Sequence, residues 1–184
     1  MKDVVAIIAV KKKSYRLKNK NILEINGMPL FYYSIKPLLK CKLIDDVYIS
    51  TNSKYVLNYC KQKKISTIWR GPNKSKTNEP LLDVLKYSYS NLNKSYKYIL
   101  TILSNAPGHK PHIIDKAIKM IKENKLSEVR SFNSHGEENG LMVFNVKDFL
   151  KKFQISSYIG MVKSSAKEIH FKKEFEEFKK KSNI

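Results

Sequence analysis

Cationic and polar side chains crowd together directly after the first apolar run of the chain, residues 4–10. The cluster comprises Lys11, Lys12, Lys13, Ser14, Arg16, Lys20 and Asn21. Because like charges repel, such a group favours the presence of an anion among its members. A loop that follows a strand can bind phosphate groups through its backbone amides and cations. The residue types alone are equally consistent with a solvated basic loop.

Three more side chains, those of Arg70, Glu168 and His170, are candidates to bind a ligand. Arg70 follows an apolar stretch that ends at Trp69, so it is a candidate to bind a base or a phosphate, or else to form a surface ion pair. Glu168 and His170 are two positions apart. On a strand this spacing places both side chains on one face, where they could share a ligand.

Segments that fit strands and helices alternate along almost the whole chain. Short apolar runs predict strands at residues 4–10, 45–51, 65–69, 96–103, 141–145 and 167–171. Helical spacing and prolines near helix starts predict helices at 28–39, 54–63, 79–91, 111–124, 146–153 and 172–181. The alternation predicts an α/β fold: a mostly parallel sheet with helices on both faces, which binds ligands past the carboxyl ends of its strands.

The amino-acid composition limits the classes of protein to which this chain could belong. The 184 residues are 42% hydrophobic and contain no repeat or long linker, which favours one domain over residues 1–184. The formal net charge is +20, yet only three of the 36 basic residues are arginines. Nucleic-acid readers usually recruit arginine for bidentate contacts, so we expect no nucleic-acid partner. Without a membrane-spanning or signal-like stretch, we expect a cytoplasmic protein with no membrane partner, in which Cys41 and Cys60 are free thiols.

An ordered set of short motifs resembles the acylneuraminate cytidylyltransferases, also called CMP-sialic acid synthetases. That family opens with a strand, the pattern R-x-x-S-x-R-x-x-x-K-N and a G-x-P-L helix start. Direct matches to these two patterns are Ser14, Arg16, Lys20, Asn21, Gly27, Pro29 and Leu30, with Lys11 at the first arginine. Similarity continues at 47–51, at Arg70 with Pro72, at Thr77, over 98–118, at Asn139 with Gly140, and over 156–178.

Several positions depart from the patterns of that family. Lys12 and Lys13 replace a Gly-Gly pair, Leu103 replaces a glutamine, and Glu168-Ile169-His170 replaces a closing D-x-D. Glu79 and Pro80 replace serines after Thr77, and only a short segment, residues 125–139, stands where the family has a dimer-forming insertion. Glycine lets a backbone approach phosphate, and paired carboxylates bind Mg²⁺. An alternative is therefore a catalytically degenerate relative that binds a nucleotide or a partner.

The resemblance implies a Rossmann-like nucleotidyltransferase core that couples CMP from CTP to an acidic, sialic acid-like sugar and releases pyrophosphate. The nucleotide contacts that it implies are Lys11, Ser14, Arg16, Lys20, Asn21, Arg70 and Thr77. Of these, Lys20 and Arg16 would stabilise the charge of the reacting phosphates. Asn139 would contact the sugar, and Glu168 with His170 would hold Mg²⁺.

Two alternatives stay open at this stage besides the degenerate relative. One is a nucleotidyltransferase that uses another sugar or another nucleotide, and the other is a basic module that binds RNA or DNA. Since the dimer-forming insertion is missing, we expect a monomer or a weak dimer.

Overall fold

A seven-stranded sheet runs through the described part of the chain, which is residues 2–71, 79–151 and 158–182 of a computed structural model. The strands of the large sheet are β1 (Lys2–Val10), β4 (Asp46–Thr51), β5 (Ser66–Trp69), β6 (Tyr96–Ile102), β7 (Glu128–Phe132), β8 (Glu138–Asn145) and β9 (Ile159–Lys163). Two short strands lie outside it, β2 (Glu24–Ile25) and β3 (Met28–Pro29). The helices are α1 (Leu30–Ile35), α2 (Lys54–Gln62), α3 (Leu81–Ser90), α4 (Pro111–Glu123), α5 (Val146–Leu150) and α6 (Lys172–Ser182). No described helix is both long and apolar enough to cross a bilayer.

The strand order of the large sheet is β5-β4-β1-β6-β8-β7-β9. Strands β5, β4, β1 and β6 are parallel to one another, and β7 is parallel to β9. Strand β8 is inserted antiparallel between β6 and β7. Strands β2 and β3 form a separate antiparallel pair. The sheet is therefore mostly parallel, as the sequence predicts. The loops that follow β1, β4, β5 and β6 all lie at one edge of the sheet, where these strands have their carboxyl ends.

Helices cover both faces of the sheet. One face packs against α1, α2 and α4 through a core that includes Ala6, Ile8, Phe31 and Ile118. The other face packs against α3 and α5 through Val5, Ile7, Leu85 and Val146. Because neighbouring residues of β1 point to opposite faces, this strand supplies side chains to both cores. The predicted α/β fold is confirmed.

A third, smaller apolar cluster lies outside the sheet and brings distant segments together. Phe175 of α6 packs with Ile25, Leu30 and Ile169, and Leu17, Leu23, Tyr33 and Phe178 surround them. The cluster joins the basic loop, the short β2-β3 pair and the segment before α6. Its members come from both ends of the sequence, so it fixes the two ends against each other.

Two predicted elements are wrong in detail, and two strands of the large sheet were not predicted. The helix expected at 28–39 is limited to Leu30–Ile35, followed by a 3₁₀ turn at Leu38–Lys40, because Pro37 lacks the amide that a continuing helix needs. Strands β7 and β9 have no counterpart among the predicted elements. Residues 167–171, expected to form a strand, are irregular, because the Lys167 and Ile169 amides bond to the carbonyl groups of Pro107 and Asn105 in a turn.

Candidate functional site

A cleft of about 790 Å³ lies at the carboxyl ends of β1, β4, β5 and β6. Among its walls are most of the predicted site residues: Lys11, Ser14, Arg16, Lys20, Asn21, Arg70, Glu168 and His170. Asn139 is not among the lining residues, and Thr77 lies outside the described residues. Parallel strands direct their carboxyl ends to one edge, and this topology is what brings residues 11–21, 70 and 168–170 together.

The basic loop between β1 and β2 is held in place by side-chain amides. The backbone amide of Lys12 donates to Oδ1 of Asn52, which follows β4, at 2.8 Å. Asn21 Nδ2 donates to the Lys11 carbonyl at 3.2 Å, and Asn21 Oδ1 accepts from Ser104 Oγ at 3.3 Å. Asn21 therefore reaches from the loop to the turn after β6 and shapes one wall of the cleft.

Lys20 is a buried cation at the base of the cleft. Its side chain is only 7% exposed, and Nζ donates to the carbonyl of Ile169 at 2.9 Å. Burial lowers the Lys20 pKa from 10.5 to about 8, and repulsion from Arg16 adds to this effect, whereas Glu168 opposes it. The charged form of Lys20 is thus destabilised in the free protein, and an anion bound beside Nζ would stabilise it.

Arg70 is a second buried cation in the cleft wall, with 3% of its surface exposed. Its Nη1 donates to Oε2 of Glu79 at 3.3 Å. Its buried Nε has no hydrogen-bond partner among the described residues. Burial lowers the Arg70 pKa, although Glu79 counteracts that effect. Since a buried N–H is costly to leave unpaired, Nε is a donor suited to an acceptor atom of a ligand.

Glu168 and His170 face the same cleft and contact each other. His170 Nε2 lies 2.9 Å from Glu168 Oε2, and His170 Nδ1 is buried without a hydrogen-bond partner among the described residues. The backbone amide of Phe171 donates to Glu174 of α6 at 2.9 Å, which anchors the segment behind them. Glu168 and His170 thus lie side by side in the cleft wall, although residues 167–171 do not form the predicted strand.

Glu168 offers one carboxylate to a metal ion. No group of three or more His, Cys, Asp or Glu side chains within the described ranges is arranged to hold a metal. Mg²⁺ commonly keeps several waters and binds through one or two carboxylates together with substrate phosphates. The residues present thus fit Mg²⁺ as a one-carboxylate site completed by phosphate oxygens and water. His170 is the weaker donor, because Nε2 already contacts Glu168 and imidazole is a poor ligand for this ion.

Sequence reasoning did not identify several residues that line the cleft. They are Tyr15, Asn52, Leu81, Val84, Ser104 and Asn105. Asn52, Ser104 and Asn105 directly follow β4 and β6, so the rule that ligands bind past the carboxyl ends of parallel strands would have found them. Leu81 and Val84 belong to α3 and have no signal in the sequence beyond the helical pattern.

The comparisons with known proteins agree with this architecture. N-acylneuraminate cytidylyltransferase of Streptococcus agalactiae serotype III (strain NEM316) is 25% identical over 139 residues, which cover 74% of this chain and 33% of that protein. The 2-C-methyl-D-erythritol 4-phosphate cytidylyltransferase of Clostridium botulinum (strain Eklund 17B / Type B) is 35% identical over 63 residues, 33% of this chain and 28% of that one. The chain spans about a third of the length of the curated relatives it matches.

A solved structure and a family model cover more of the chain than these curated relatives do. The structure of CMP:2-keto-3-deoxy-manno-octonic acid synthetase complexed with CTP superposes with a TM-score of 0.82 at 10% identity, over 98% of both chains. At that identity the likeness concerns the fold. The family model described as "Cytidylyltransferase" matches residues 5–183, nearly the whole sequence. The chain therefore belongs to the cytidylyltransferase family.

Proposed function

We propose that this protein transfers CMP from CTP to an acidic sugar of the sialic acid class, with pyrophosphate as the second product. The observation that supports this best is the cleft itself, where Lys11, Arg16, Lys20 and Arg70 lie at the carboxyl ends of parallel strands. Together with Lys12 and Lys13 they make six cationic side chains that line one cleft, which suits the several negative charges of a triphosphate. The similarity to an N-acylneuraminate cytidylyltransferase supports the choice of sugar.

The proposed reaction is a displacement at the α-phosphorus of CTP. A sugar hydroxyl oxygen forms a bond to that phosphorus, the bond to the bridging oxygen of pyrophosphate breaks, and the hydroxyl proton passes to solvent. Such transfers depend mainly on positioning and on stabilisation of charge. Lys20 and Arg16 would neutralise charge on the α-phosphate and on the leaving pyrophosphate, and Lys11 and Ser14 would bind the remaining phosphate oxygens.

Arg70 would bind the nucleotide from another wall of the cleft. Its Nε has no hydrogen-bond partner among the described residues and is a donor for an acceptor on the base or on a phosphate, whereas Nη1 of the guanidinium group is bonded to Glu79. A buried N–H that acquires an acceptor removes a desolvation penalty that the free protein carries. This gain would favour the bound state over the free state.

We propose Mg²⁺ as the cofactor, with Glu168 as its protein ligand. Bound there together with phosphate oxygens, Mg²⁺ would lower the repulsion between the triphosphate and the approaching hydroxyl oxygen. Lys20 joins this region to the basic loop, because it donates to the carbonyl of Ile169, the residue next to Glu168.

Two other functions are favoured by specific observations. Lys12, Lys13 and Leu103 occupy positions where the resemblance calls for Gly-Gly and Gln, which favours a degenerate relative that binds a nucleotide without turnover. The partial match to a 2-C-methyl-D-erythritol 4-phosphate cytidylyltransferase favours another acceptor substrate.

A pyrophosphate-release assay with four nucleoside triphosphates and several sugar acids separates these possibilities. Release with CTP and N-acetylneuraminic acid supports the proposal, and release with another pair identifies the substrate class instead. Binding of CTP without release under all pairs supports the degenerate relative.

Calorimetry of CTP binding tests the cleft without requiring a sugar. A charge-assisted hydrogen bond contributes about 1.5–3 kcal/mol, so Arg16→Ala should weaken CTP binding roughly 10- to 150-fold. Lys18→Ala is the matched control, because Lys18 is an exposed cation of the same loop and is not among the cleft-lining residues. Equal losses in both variants would indicate a diffuse charge effect and contradict a defined triphosphate site.

A further inference from the structure

We infer that Asn139 is a positioning residue for the proposed reaction and not a contact to the sugar. It holds the strap, which we define as residues 164–170, in the conformation that presents Glu168 to the cleft. The inference rests on the proposed function for its kinetic consequence, but its structural content can be tested separately.

Asn139 lies at the start of β8 and is buried, with 3% of its surface exposed. Its Nδ2 donates to the carbonyl of Ser164 at 2.8 Å and to the carbonyl of Ala166 at 3.1 Å. Its Oδ1 accepts from Ser131 Oγ of β7, which fixes the orientation of the amide. Both amide hydrogens are therefore used within the protein, so a sugar could bind Nδ2 only by breaking these bonds. Oδ1 already accepts one bond, and because Asn139 is buried a sugar could reach it only by displacing the residues that cover it.

The backbone of Asn139 is bonded to the same strap through His109. Since a carbonyl only accepts, His109 Nε2 donates to the Asn139 carbonyl at 3.0 Å. His109 Nδ1 must then accept from Ser164 Oγ at 2.9 Å. Burial lowers the His109 pKa to about 4, so the ring is neutral near pH 7 and can hold both roles at once. Side chain and backbone of Asn139 thus both converge on Ser164.

Beyond Ala166 the strap is bonded to the turn that follows β6. The Lys167 amide donates to the Pro107 carbonyl at 3.4 Å, and the Ile169 amide donates to the Asn105 carbonyl at 2.7 Å. The Ile169 carbonyl accepts from Asn105 Nδ2 and from Lys20 Nζ. Asn139 fixes the first residues of the strap, and the turn guides it from there to Glu168, two residues after Ala166.

Gly140 explains how the start of β8 can lie this close to the turn. At its φ of +93°, a Cβ atom would lie 3.1 Å from side-chain atoms of Leu103 and Ala106. The Gly140 carbonyl accepts from the Leu103 amide at 2.9 Å. The Asn-Gly pair thereby joins the turn to the strap: Gly140 packs against the turn, and Asn139 holds the strap.

This arrangement predicts which kinetic constant depends on Asn139. A side chain that contacts the sugar contributes to KM for the sugar, whereas one that aligns Glu168 contributes to the chemical step. A misplacement of about 1 Å at a reacting centre can cost about 100-fold in rate. Disturbing Asn139 should therefore lower kcat and leave KM for the sugar near its original value.

Asn139→Asp is the direct test, because it keeps the shape and replaces the two amide donors by an oxygen that faces two carbonyl oxygens. Ser131→Ala is the milder variant, since it removes the bond that orients the amide, together with the acceptor of the Leu141 amide, but leaves Asn139 intact. Asn124→Asp is the matched control: Asn124 Nδ2 also donates to a backbone carbonyl, that of Met120, but at an exposed helix end.

The first measurement is native-state amide hydrogen exchange at Lys167 and Ile169, without any substrate. We expect exchange about 10-fold faster or more in Asn139→Asp, a smaller increase in Ser131→Ala, and none in Asn124→Asp, with amides of β1 unchanged in all three. Unchanged exchange at both strap amides would overturn the inference. Should Asn139→Asp fail to fold, Ser131→Ala decides the outcome alone.

The second measurement is steady-state pyrophosphate release with CTP and N-acetylneuraminic acid, with CTP affinity measured by calorimetry. We expect kcat to fall about 10- to 100-fold in Asn139→Asp, with KM for the sugar and Kd for CTP within about threefold. A raised KM for the sugar with kcat retained would overturn the inference in favour of direct sugar contact. If the wild-type chain neither binds CTP nor releases pyrophosphate, the proposed function fails, and the exchange result still supports or overturns the role of Asn139.

Discussion

Replacing Lys20 by methionine should make the protein more stable and its nucleotide binding weaker. Methionine keeps the length and flexibility of the side chain but removes the charge. The Lys20 pKa falls from 10.5 to about 8 on folding. At about 1.36 kcal/mol per pKa unit, a protonated Lys20 costs the folded state roughly 3 kcal/mol at pH 7.

The lost hydrogen bond to Ile169 offsets part of this gain. That bond contributes about 1–2 kcal/mol, but the Ile169 carbonyl keeps Asn105 Nδ2 as a donor at 3.1 Å. We therefore expect Lys20→Met to raise the free energy of unfolding by about 1–2 kcal/mol at pH 7. For a chain of this size the melting temperature should rise by about 2–8 °C. Calorimetry should show CTP binding weakened roughly 10- to 150-fold, because a charge-assisted bond is lost.

The pH dependence gives a second, independent readout. Between pH 8 and 10.5 the unfolded chain keeps the proton on Lys20 while the folded wild type loses it. The unfolded state then binds more protons, so the stability of the wild type rises with pH relative to the variant, and the advantage of Lys20→Met disappears. Comparing the two proteins at each pH cancels the other lysines and the tyrosines.

Lys18→Met is the control for this experiment, since Lys18 is exposed in the same loop. It should change neither the stability nor the CTP affinity by much. A Lys20→Met protein that is less stable at pH 7 by more than about 1 kcal/mol would refute the reasoning about desolvation. So would a stability difference that stays constant from pH 7 to 10.

Three further predictions follow from the cleft and its surroundings. Arg70→Lys removes the Nε donor, which has no partner within the described ranges, and should weaken CTP binding about 10-fold in calorimetry. Arg130→Lys, in an ion-pair cluster outside the cleft, should leave the affinity unchanged, and equal CTP affinities of the two variants would contradict the role of Nε. Chelation of divalent metal should abolish pyrophosphate release, and full activity in a chelator would refute the proposed cofactor. Glu168→Gln should raise the Mg²⁺ concentration needed for half-maximal rate, and His170→Asp should lower that concentration. Light scattering should give a monomer or a weak dimer, and a dimer that persists at nanomolar concentration would refute that expectation.

The fold could be predicted from the sequence where burial follows a simple period. The continuous apolar runs at 4–10 and 96–103 correspond to β1 and β6, which are buried on both faces. Strand β7 escaped prediction because two of its five residues, Glu128 and Arg130, are charged and pair with each other. Residues 167–171 do not form the predicted strand, because the amides of Lys167 and Ile169 bond to a turn, and periodicity cannot reveal the bonding partner.

The site could be predicted as a set of residues but not as a set of roles. Lys20 and Glu168 were selected from widely separated parts of the sequence, and the parallel topology does place both in one cleft. Asn21 and Asn139 were selected as ligand contacts, yet the amide groups of both are bonded to the protein itself. Whether a polar side chain serves a ligand or its own backbone depends on which carbonyls tertiary folding brings near, and a motif does not contain that information.

The small cluster around Phe175 has a consequence for the order in which the molecule matures. The loop at residues 11–21 leaves the ribosome before residue 169 does, but the contact between Lys20 and Ile169 joins positions 149 apart. The apolar partners that hold this contact include Phe175 and Phe178 of α6. During synthesis the β1-β4-β5 part of the sheet can form first, whereas the basic loop can be held in place only after α6 has been made. The cleft is then completed only after α6 has been made, and the proposed nucleotide would stabilise chains that contain α6 over shorter nascent ones.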